Sequence, residues 1–217
     1  MDTPLTRTVY IVDDDAEVRS ELAEALELRG FAVHAFDSGE SFLAEQAALP
    51  AGCLVLDLNM PGMSGMEVQQ ALVDRASLHK IVMLTGAGSV STAVRAMHAG
   101  AIDFLEKPFH VDDLVRSISS AASRQFQEVQ EDARKRHAEE QIARLSDRER
   151  DVLCGMVLGL ANKIIAYRLG LSTRTVEAYR AQLMHKLGAK SLAEAVQLAM
   201  ESHLEPRGAI LRHSPEG

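Results

Sequence analysis

The stretch Cys53-Leu54-Val55-Leu56-Asp57-Leu58-Asn59-Met60-Pro61-Gly62-Met63-Ser64-Gly65 decides how the first half of the chain is read. Four apolar residues in a row stop on an aspartate. A continuous apolar run bounded by turn residues reads as a strand covered on both faces of a parallel sheet. Pro61, Gly62 and Gly65 then punctuate a loop, and the glycines leave room for a tight turn beside the aspartate. An amphipathic helix follows over 65–75.

The same grammar extends in both directions. Val9-Tyr10-Ile11-Val12 is an apolar run ending in Asp13 and Asp14, and Ile81-Val82-Met83-Leu84 is another, ending at Thr85. Phe31 to Phe36 and Ala101 to Leu105 complete five strands, the last followed by Lys107. Helices are predicted between them over 16–29, 41–48, 65–75 and 89–98, and a final one opens near Val111. The alternation is (βα)5, a flavodoxin-like parallel sheet with helices on both faces.

Helical character then runs on from Asp112 to about Leu145 without proline or glycine. Ile118, Ala122, Phe126, Val129 and Ala133 form an apolar row that gives way to the polar run Arg134 to Gln141. A long helical linker is expected, either solvated or forming a short coiled-coil seam. The C-terminal part reads as all-α, with four helices. Ser146-Asp147-Arg148-Glu149 and Ser191-Leu192-Ala193-Glu194 are capping-box patterns. Ala161 to Leu169 ends at Gly170, and the helix begun at Ser172 ends at Gly188. The predicted organisation is an α/β domain over 7–122, a linker over 123–144, an all-α domain over 145–205 and a disordered tail over 206–217.

The 217 residues suit two domains, and 47% hydrophobic with 25% charged residues is a globular composition. Apolar runs such as Gly52 to Leu56 are too short to span a membrane, and Met1-Asp2-Thr3-Pro4 lacks the features of a signal peptide, so a cytoplasmic protein is expected. Cys53 and Cys154 are far apart and show no metal-ligand spacing, which leaves buried thiols as the simple reading. The net charge of −8 is uneven. Residues 1–125 hold 18 acids against 9 bases. Residues 162–190 hold Lys163, Arg168, Arg174, Arg180, Lys186 and Lys190 against Glu177 alone. A locally basic segment in an acidic protein points to a polyanionic partner.

Asp13, Asp14, Asp57, Thr85 and Lys107 all fall at carboxyl ends of predicted strands, where open α/β sheets collect functional groups. Three converging carboxylates call for a divalent cation, and oxygen ligands fit Mg²⁺. A carboxylate so placed is also a nucleophile for a phosphoryl group, with a lysine and a threonine to stabilise the transferred oxygens. Asp15 reads as a helix N-cap or loop acid. In the C-terminal part, a short helix, a tight turn and a second helix make a helix-turn-helix. Val176, Leu183 and Leu187 face inward there, while Arg174, Glu177, Ala178, Arg180 and Ala181 remain available to DNA. Lys163 stands at the start of the first helix, whose positive end also favours phosphate.

Residues 7–122 resemble the receiver domain of two-component response regulators. The resemblance rests on Val12-Asp13-Asp14, Asp57 to Gly65, Thr85-Gly86 and Lys107-Pro108-Phe109. It implies that Asp57 is the phosphoacceptor and that Asp13, Asp14, Asp57 and the backbone carbonyl of Asn59 hold Mg²⁺. It also implies that Thr85 and Lys107 sense the phosphoryl group, that Phe104 is the switch aromatic, and that the Lys107–Pro108 bond is cis. Leu145 to Leu153, Asn162 to Ala166, Leu171 to Glu177 and Lys186 to Ser191 resemble the LuxR-type helix-turn-helix, and the whole is similar to the FixJ/NarL class. That likeness implies base contacts at Glu177, Ala178 and Ala181 and phosphate contacts at Lys163, Arg174 and Lys186, with Thr175 and Arg180 in the same candidate set. Tyr179 and Ile164-Ile165 depart from the usual residues and bear on base preference.

The expected function is transcriptional regulation of a two-component system. The expected partners are a sensor histidine kinase, double-stranded DNA and a second copy of the chain on phosphorylation, with RNA polymerase as a further candidate and no membrane. Dimerisation through a face carrying Val90, Val94 and Met97 competes with a constitutive dimer through helix 112–145. The chain is expected to catalyse its own phosphoryl transfer and slow dephosphorylation only. A phosphatase-like enzyme would want an acid where Asn59 stands. A phosphate-independent dimerising module sits badly with the complete acidic pocket. A ligand-binding quorum sensor lacks an apolar pocket signature.

Overall fold

A computed structural model describes residues 7–86, 90–205 and 208–211. The chain divides into two compact units, Met1–Glu128 and Val129–Gly217. The first runs β1 (Thr8–Val12), α1 (Ala16–Glu27), β2 (Ala32–Phe36), α2 (Gly39–Glu45), β3 (Cys53–Asp57), α3 (Gly65–Asp74), β4 (Lys80–Thr85), α4 (Val90–His98), β5 (Asp103–Glu106) and into α5 (Val111–Ala143). Residue 89, expected to open α4, lies outside the described residues. The five strands pair in parallel in the order β2-β1-β3-β4-β5.

Strand alternation builds two cores. Tyr10, Val12, Leu54, Leu56, Ile81 and Met83 point to one face and pack on Phe42, Val68, Leu72 and Ala96 from α2, α3 and α4. Val9, Ile11, Val55, Val82 and Leu84 point to the other and pack on Leu22 and Leu26 of α1 and Leu114, Ile118 and Ala121 of α5. Both faces of β1, β3 and β4 are covered, which is why their sequences are continuously apolar. Asp15 is the N-cap of α1 and accepts from the N–H groups of Glu17 and Val18 at 2.9 and 3.3 Å. Burial pushes the Cys53 thiol up to about 12, and Cys154 is also a buried free thiol, so both are packing residues.

The long helix is present, and of the apolar row read from spacing Ile118 is buried while Phe126, Val129 and Ala133 are exposed. In the first unit Leu114, Ile118, Ala121 and Gln125 are buried, while Phe126 is exposed. The Gln125 amide donates to the Leu78 carbonyl at 3.3 Å, and Lys80 pairs with Glu128. A polar anchor, outside the apolar row read from spacing, holds this part of the helix to the first unit.

The second unit holds the rest of α5, then α6 (Asp147–Val157), α7 (Asn162–Leu169), α8 (Thr173–Leu187) and α9 (Leu192–Glu201). Ala138 and Ile142, within the stretch expected as linker, are buried in this unit, and Ile142 joins its core beside Leu145, Val152, Leu153 and Ile165. Arg150 caps the end of α5, donating from Nε to the Ile142 carbonyl and from Nη2 to that of Ala143. The Ser146/Glu149 capping box forms. At Ser191 only half of the pattern does, because the Glu194 carboxylate accepts from the Lys190 N–H, one residue further back.

Residues 206–217 were expected to be a disordered tail. Within them Gly208–Leu211 form a 3-10 turn, Ile210 is fully buried, and its carbonyl accepts from Arg168 Nη1 at 2.7 Å. An apolar side chain with a core opening beside Gly155 docks despite its polar, glycine- and proline-bearing surroundings. The remainder of the expected tail lies outside the described residues. Among the described residues no helix is long and apolar enough to cross a membrane.

Candidate functional site

The parallel sheet delivers its strand ends to one edge. Asp13 follows β1, Asp57 ends β3, Thr85 ends β4 and Lys107 follows β5. Asp13, Asp57 and Thr85 are buried, at 1%, 5% and 0% exposure. The Lys107 ammonium sits between two carboxylates, 2.7 Å from Asp13 Oδ2 and 2.7 Å from Asp57 Oδ1. Asp57 Oδ2 accepts from the Asn59 N–H at 2.7 Å, and Asp13 Oδ1 accepts from the Asp15 N–H at 2.9 Å. The Lys107–Pro108 bond is cis.

Burial raises the Asp57 carboxyl above its ordinary value, and the charge of Asp13 adds to this. Lys107 and the Asn59 N–H pull in the other direction without cancelling it. Burial lowers the Lys107 ammonium, but its bonds to Asp13 and Asp57 outweigh that and leave it raised. The site therefore keeps one cation locked on two carboxylates.

Three expected carboxylates are two in the geometry. Asp14 is exposed, and no cluster of three or more metal-ligating side chains forms among the described residues. The donor set nonetheless suits a hard cation. Two buried carboxylates already converge on one positive charge, here supplied by Lys107. Phe104 is partly buried against the core around Met83.

Two residues outside the sequence pattern support the site. Arg19 Nη1 donates to the Asp13 carbonyl at 2.7 Å, and Glu40 Oε1 accepts from the Met63 N–H at 3.0 Å, holding the loop after β3. Neither carries a local signal, because each acts on backbone of a different segment, 6 and 23 residues away. Gly65 was legible: a Cβ there would lie 2.3 Å from the Asp57 carbonyl oxygen, so only glycine allows α3 to start against the strand.

In the second unit α7 and α8 meet across Gly170, which is left-handed at φ 66°. Ser172 caps α8, accepting from the Thr175 N–H at 3.1 Å, and its hydroxyl bonds that of Thr175 at 2.8 Å. Val176, Leu183 and Leu187 are buried as expected. Lys163, Arg174, Glu177, Ala178 and Ala181 are exposed, and Gln182 and His185, which the sequence pattern did not single out, are exposed further along α8. Arg180 and Lys186 are engaged within the unit, Arg180 Nη1 with Asn162 Oδ1 and Lys186 Nζ with Glu149 Oε2, each at 2.7 Å.

Comparison with known proteins agrees with this pairing of sites. Residues 9–119 match the response regulator receiver domain, and residues 143–199 match the bacterial regulatory proteins of the luxR family. Over 194 residues the chain is 42% identical to the transcriptional regulatory protein FixJ of Bradyrhizobium diazoefficiens, covering 89% of this chain and 95% of that one. The chain is a response regulator of the FixJ class. FixJ of Azorhizobium caulinodans is similar to the same degree, 42% identical with 94% and 96% covered. Among solved structures, the response regulator StyR superposes with a TM-score of 0.73 at 40% identity, covering 89% of this chain and 98% of that one. Full-length FixJ from B. japonicum gives 0.58 at 41%, with 91% and 98% covered.

Response regulators of this class are transcription regulators of two-component systems, and this one pairs a receiver with a LuxR-type DNA-binding domain. It is not a conventional enzyme, which removes the phosphatase-like reading, and the receiver match removes the quorum-sensor reading.

Proposed function

We propose that this response regulator is switched by phosphoryl transfer to Asp57 from a sensor histidine kinase in the cytoplasm. The observation that carries the proposal is the pair of buried carboxylates, Asp13 and Asp57, converging on the Lys107 ammonium. In the transfer an Asp57 oxygen forms a bond to phosphorus as the phosphorus–nitrogen bond of a phosphohistidine breaks, and the electron pair stays on the imidazole. Asp13, Asp57 and the Asn59 carbonyl would hold Mg²⁺, with the exposed Asp14 turning in to complete the set, and the ion's charge would offset that of the phosphoryl oxygens. Lys107 transfers its ammonium from the Asp57 carboxylate to a phosphoryl oxygen, and the Thr85 hydroxyl donates to another. Phe104 follows Thr85 inward and repacks the face of α4 that carries Val90, Val94 and Met97. The chain acts on no other substrate and slowly hydrolyses its own acyl phosphate.

The receiver, taken as 7–122, then dimerises through that exposed apolar face, and the helix over 123–144 carries two DNA-binding domains, taken as 145–205, onto paired half-sites. A dimer aligned on two half-sites gains affinity through effective concentration. The surface proposed to meet DNA is Lys163, Arg174, Glu177, Ala178 and Ala181, with Thr175 bonded to the cap of the recognition helix. RNA polymerase is the next partner at a promoter. The test is labelling with a small phosphodonor and Mg²⁺. Wild type should gain one hydroxylamine-labile phosphoryl group and bind a promoter-derived duplex more tightly, and Asp57→Asn should do neither. Full labelling of Asp57→Asn on another aspartate would overturn the assignment.

A further inference from the structure

Six bases give residues 162–190 their local charge, but they are not equally free to meet a phosphate. Arg168 Nη1 donates to the Ile210 carbonyl, Arg180 Nη1 to Asn162 Oδ1 and Lys186 Nζ to Glu149 Oε2, each at 2.7 Å. Lys163, Arg174 and Lys190 have no side-chain hydrogen bond or ion pair among the described residues.

The Lys186 contact differs from an ordinary surface pair. The Glu149 side chain is 2% exposed, although that of Lys186 is 42% exposed. Its Oε2 also receives the Ser146 N–H at 2.7 Å and the Ser146 hydroxyl at 2.8 Å. Burial would raise this carboxyl, but Lys186 and Ser146 together hold it below its ordinary value, so it is an anion. A phosphate that drew the half-exposed Lys186 ammonium away would strip a buried carboxylate of its counter-ion, which is far costlier than breaking an exposed pair. Position argues the same way. Lys186 lies twelve residues beyond Arg174, about 18 Å along α8 and roughly 120° around it.

We propose that Lys186 is a positioning residue, not a phosphate ligand: with Glu149 it ties the last turn of the recognition helix α8 to the first turn of α6. Arg180 makes the corresponding tie from the middle of α8 to the start of α7. The phosphate contacts of each domain then come from Lys163 and Arg174. This rests on the DNA-binding reading above, and it separates residues that set the angle of the helix from residues that touch the duplex.

The experiment measures binding of the full-length, phosphodonor-treated protein to a labelled mixed-sequence duplex over a series of salt concentrations. Losing a phosphate contact lowers the salt slope by about 1, whereas tilting the helix weakens binding without removing a charge contact. Arg174→Ala should lower the slope. Lys186→Gln should weaken binding by roughly tenfold at every salt concentration, equivalent to about 1.4 kcal/mol, with the slope unchanged. Lys186→Arg should restore most of the affinity. Glu149→Gln should reproduce the Lys186→Gln loss, and the double variant should be no weaker than either single one.

Glutamine also serves in a capping box, so Glu149→Gln keeps the helix start and carries the test if Lys186→Gln melts below the assay temperature. A slope lowered by about 1 in Lys186→Gln, or tighter binding in Glu149→Gln from a released lysine, would overturn the proposal. Unchanged slopes in both Arg174→Ala and Lys186→Gln, with affinity lost only in the latter, would support the tie and overturn the placement of DNA on α8.

Discussion

Replacing Lys107 by methionine keeps the length of the side chain and removes the ammonium that Asp13 and Asp57 share. Those carboxylates are 2% and 7% exposed, so without the cation they face each other with little water to screen them. Breaking a buried pair costs about 3–5 kcal/mol. A proton offers an escape, and at pH 7 protonating a carboxyl of ordinary pKa ~3.9 costs about 4 kcal/mol. Burial already holds Asp57 above that value, so part of this cost is present in the wild type. The expected loss is therefore about 2–4 kcal/mol, or roughly 10–15 °C in the receiver transition.

The sign of the pH dependence follows from the same residues. A carboxyl with a raised pKa favours the folded state fully below its unfolded value and loses that contribution as pH rises through the folded one. The deficit of Lys107→Met should thus be largest at pH 7 and shrink toward pH 5, where the proton costs only about 1.5 kcal/mol. Calorimetry of the full chain at three pH values, with chelator and then with Mg²⁺, measures it, and a divalent cation should narrow the gap. A deficit below about 1 kcal/mol at pH 7, or one that grows toward pH 5, would refute the reasoning, since even an exposed pair can be worth that much.

Three further outcomes are expected. His79 is buried against Tyr10 and Phe42, its Nδ1 accepts from the Gly52 N–H at 3.3 Å, and burial lowers its pKa. Its contribution is complete above pH ~6.5 and is lost as pH falls through the lowered folded value, so His79→Gln should flatten receiver stability between neutral pH and pH 5; an unaltered profile would show that His79 does not titrate there. Ile210→Ala should cost about 2–4 kcal/mol in the DNA-binding domain, and an unchanged melting transition would mean that the 3-10 turn is not docked. Val94→Lys should leave phosphorylation intact and abolish phosphorylation-dependent dimerisation in sedimentation; a variant that dimerises in both states would favour a linker-helix dimer instead.

Most of the receiver was legible along the chain because its signals are local. A strand buried on both faces must be apolar throughout, as at Val9 to Val12 and Ile81 to Leu84, and a loop pressed against a strand must use glycine, as at Gly65. The helix-turn-helix was legible for a similar reason: Ser172 and Gly188 mark the ends of α8, and Val176, Leu183 and Leu187 recur at helical spacing. Spacing did not reveal what α5 packs against, where Gln125 is buried and Phe126 exposed. A 3.6-residue period shows that a helix has a stripe, but the stripe is set by whichever surface the helix meets, and the Leu78 carbonyl selected an amide. The tail failed for the converse reason, since composition predicts how a segment behaves alone and Ile210 does not stay alone.

What the sequence determined by itself is the order of strands and helices, the receiver with its aspartates at strand ends, and the basic helical segment beyond it. These follow from periodicity, turn chemistry and the placement of charge, each read within a dozen neighbouring residues. Only the tertiary structure decided which charges are free and which are committed. Lys107 closes on Asp13 and Asp57, and Lys186 closes on Glu149 from 37 residues away. A basic residue has the same side chain whether it faces solvent or a buried carboxylate. Its partner is chosen by packing that brings distant segments within 3 Å, and no local pattern records that.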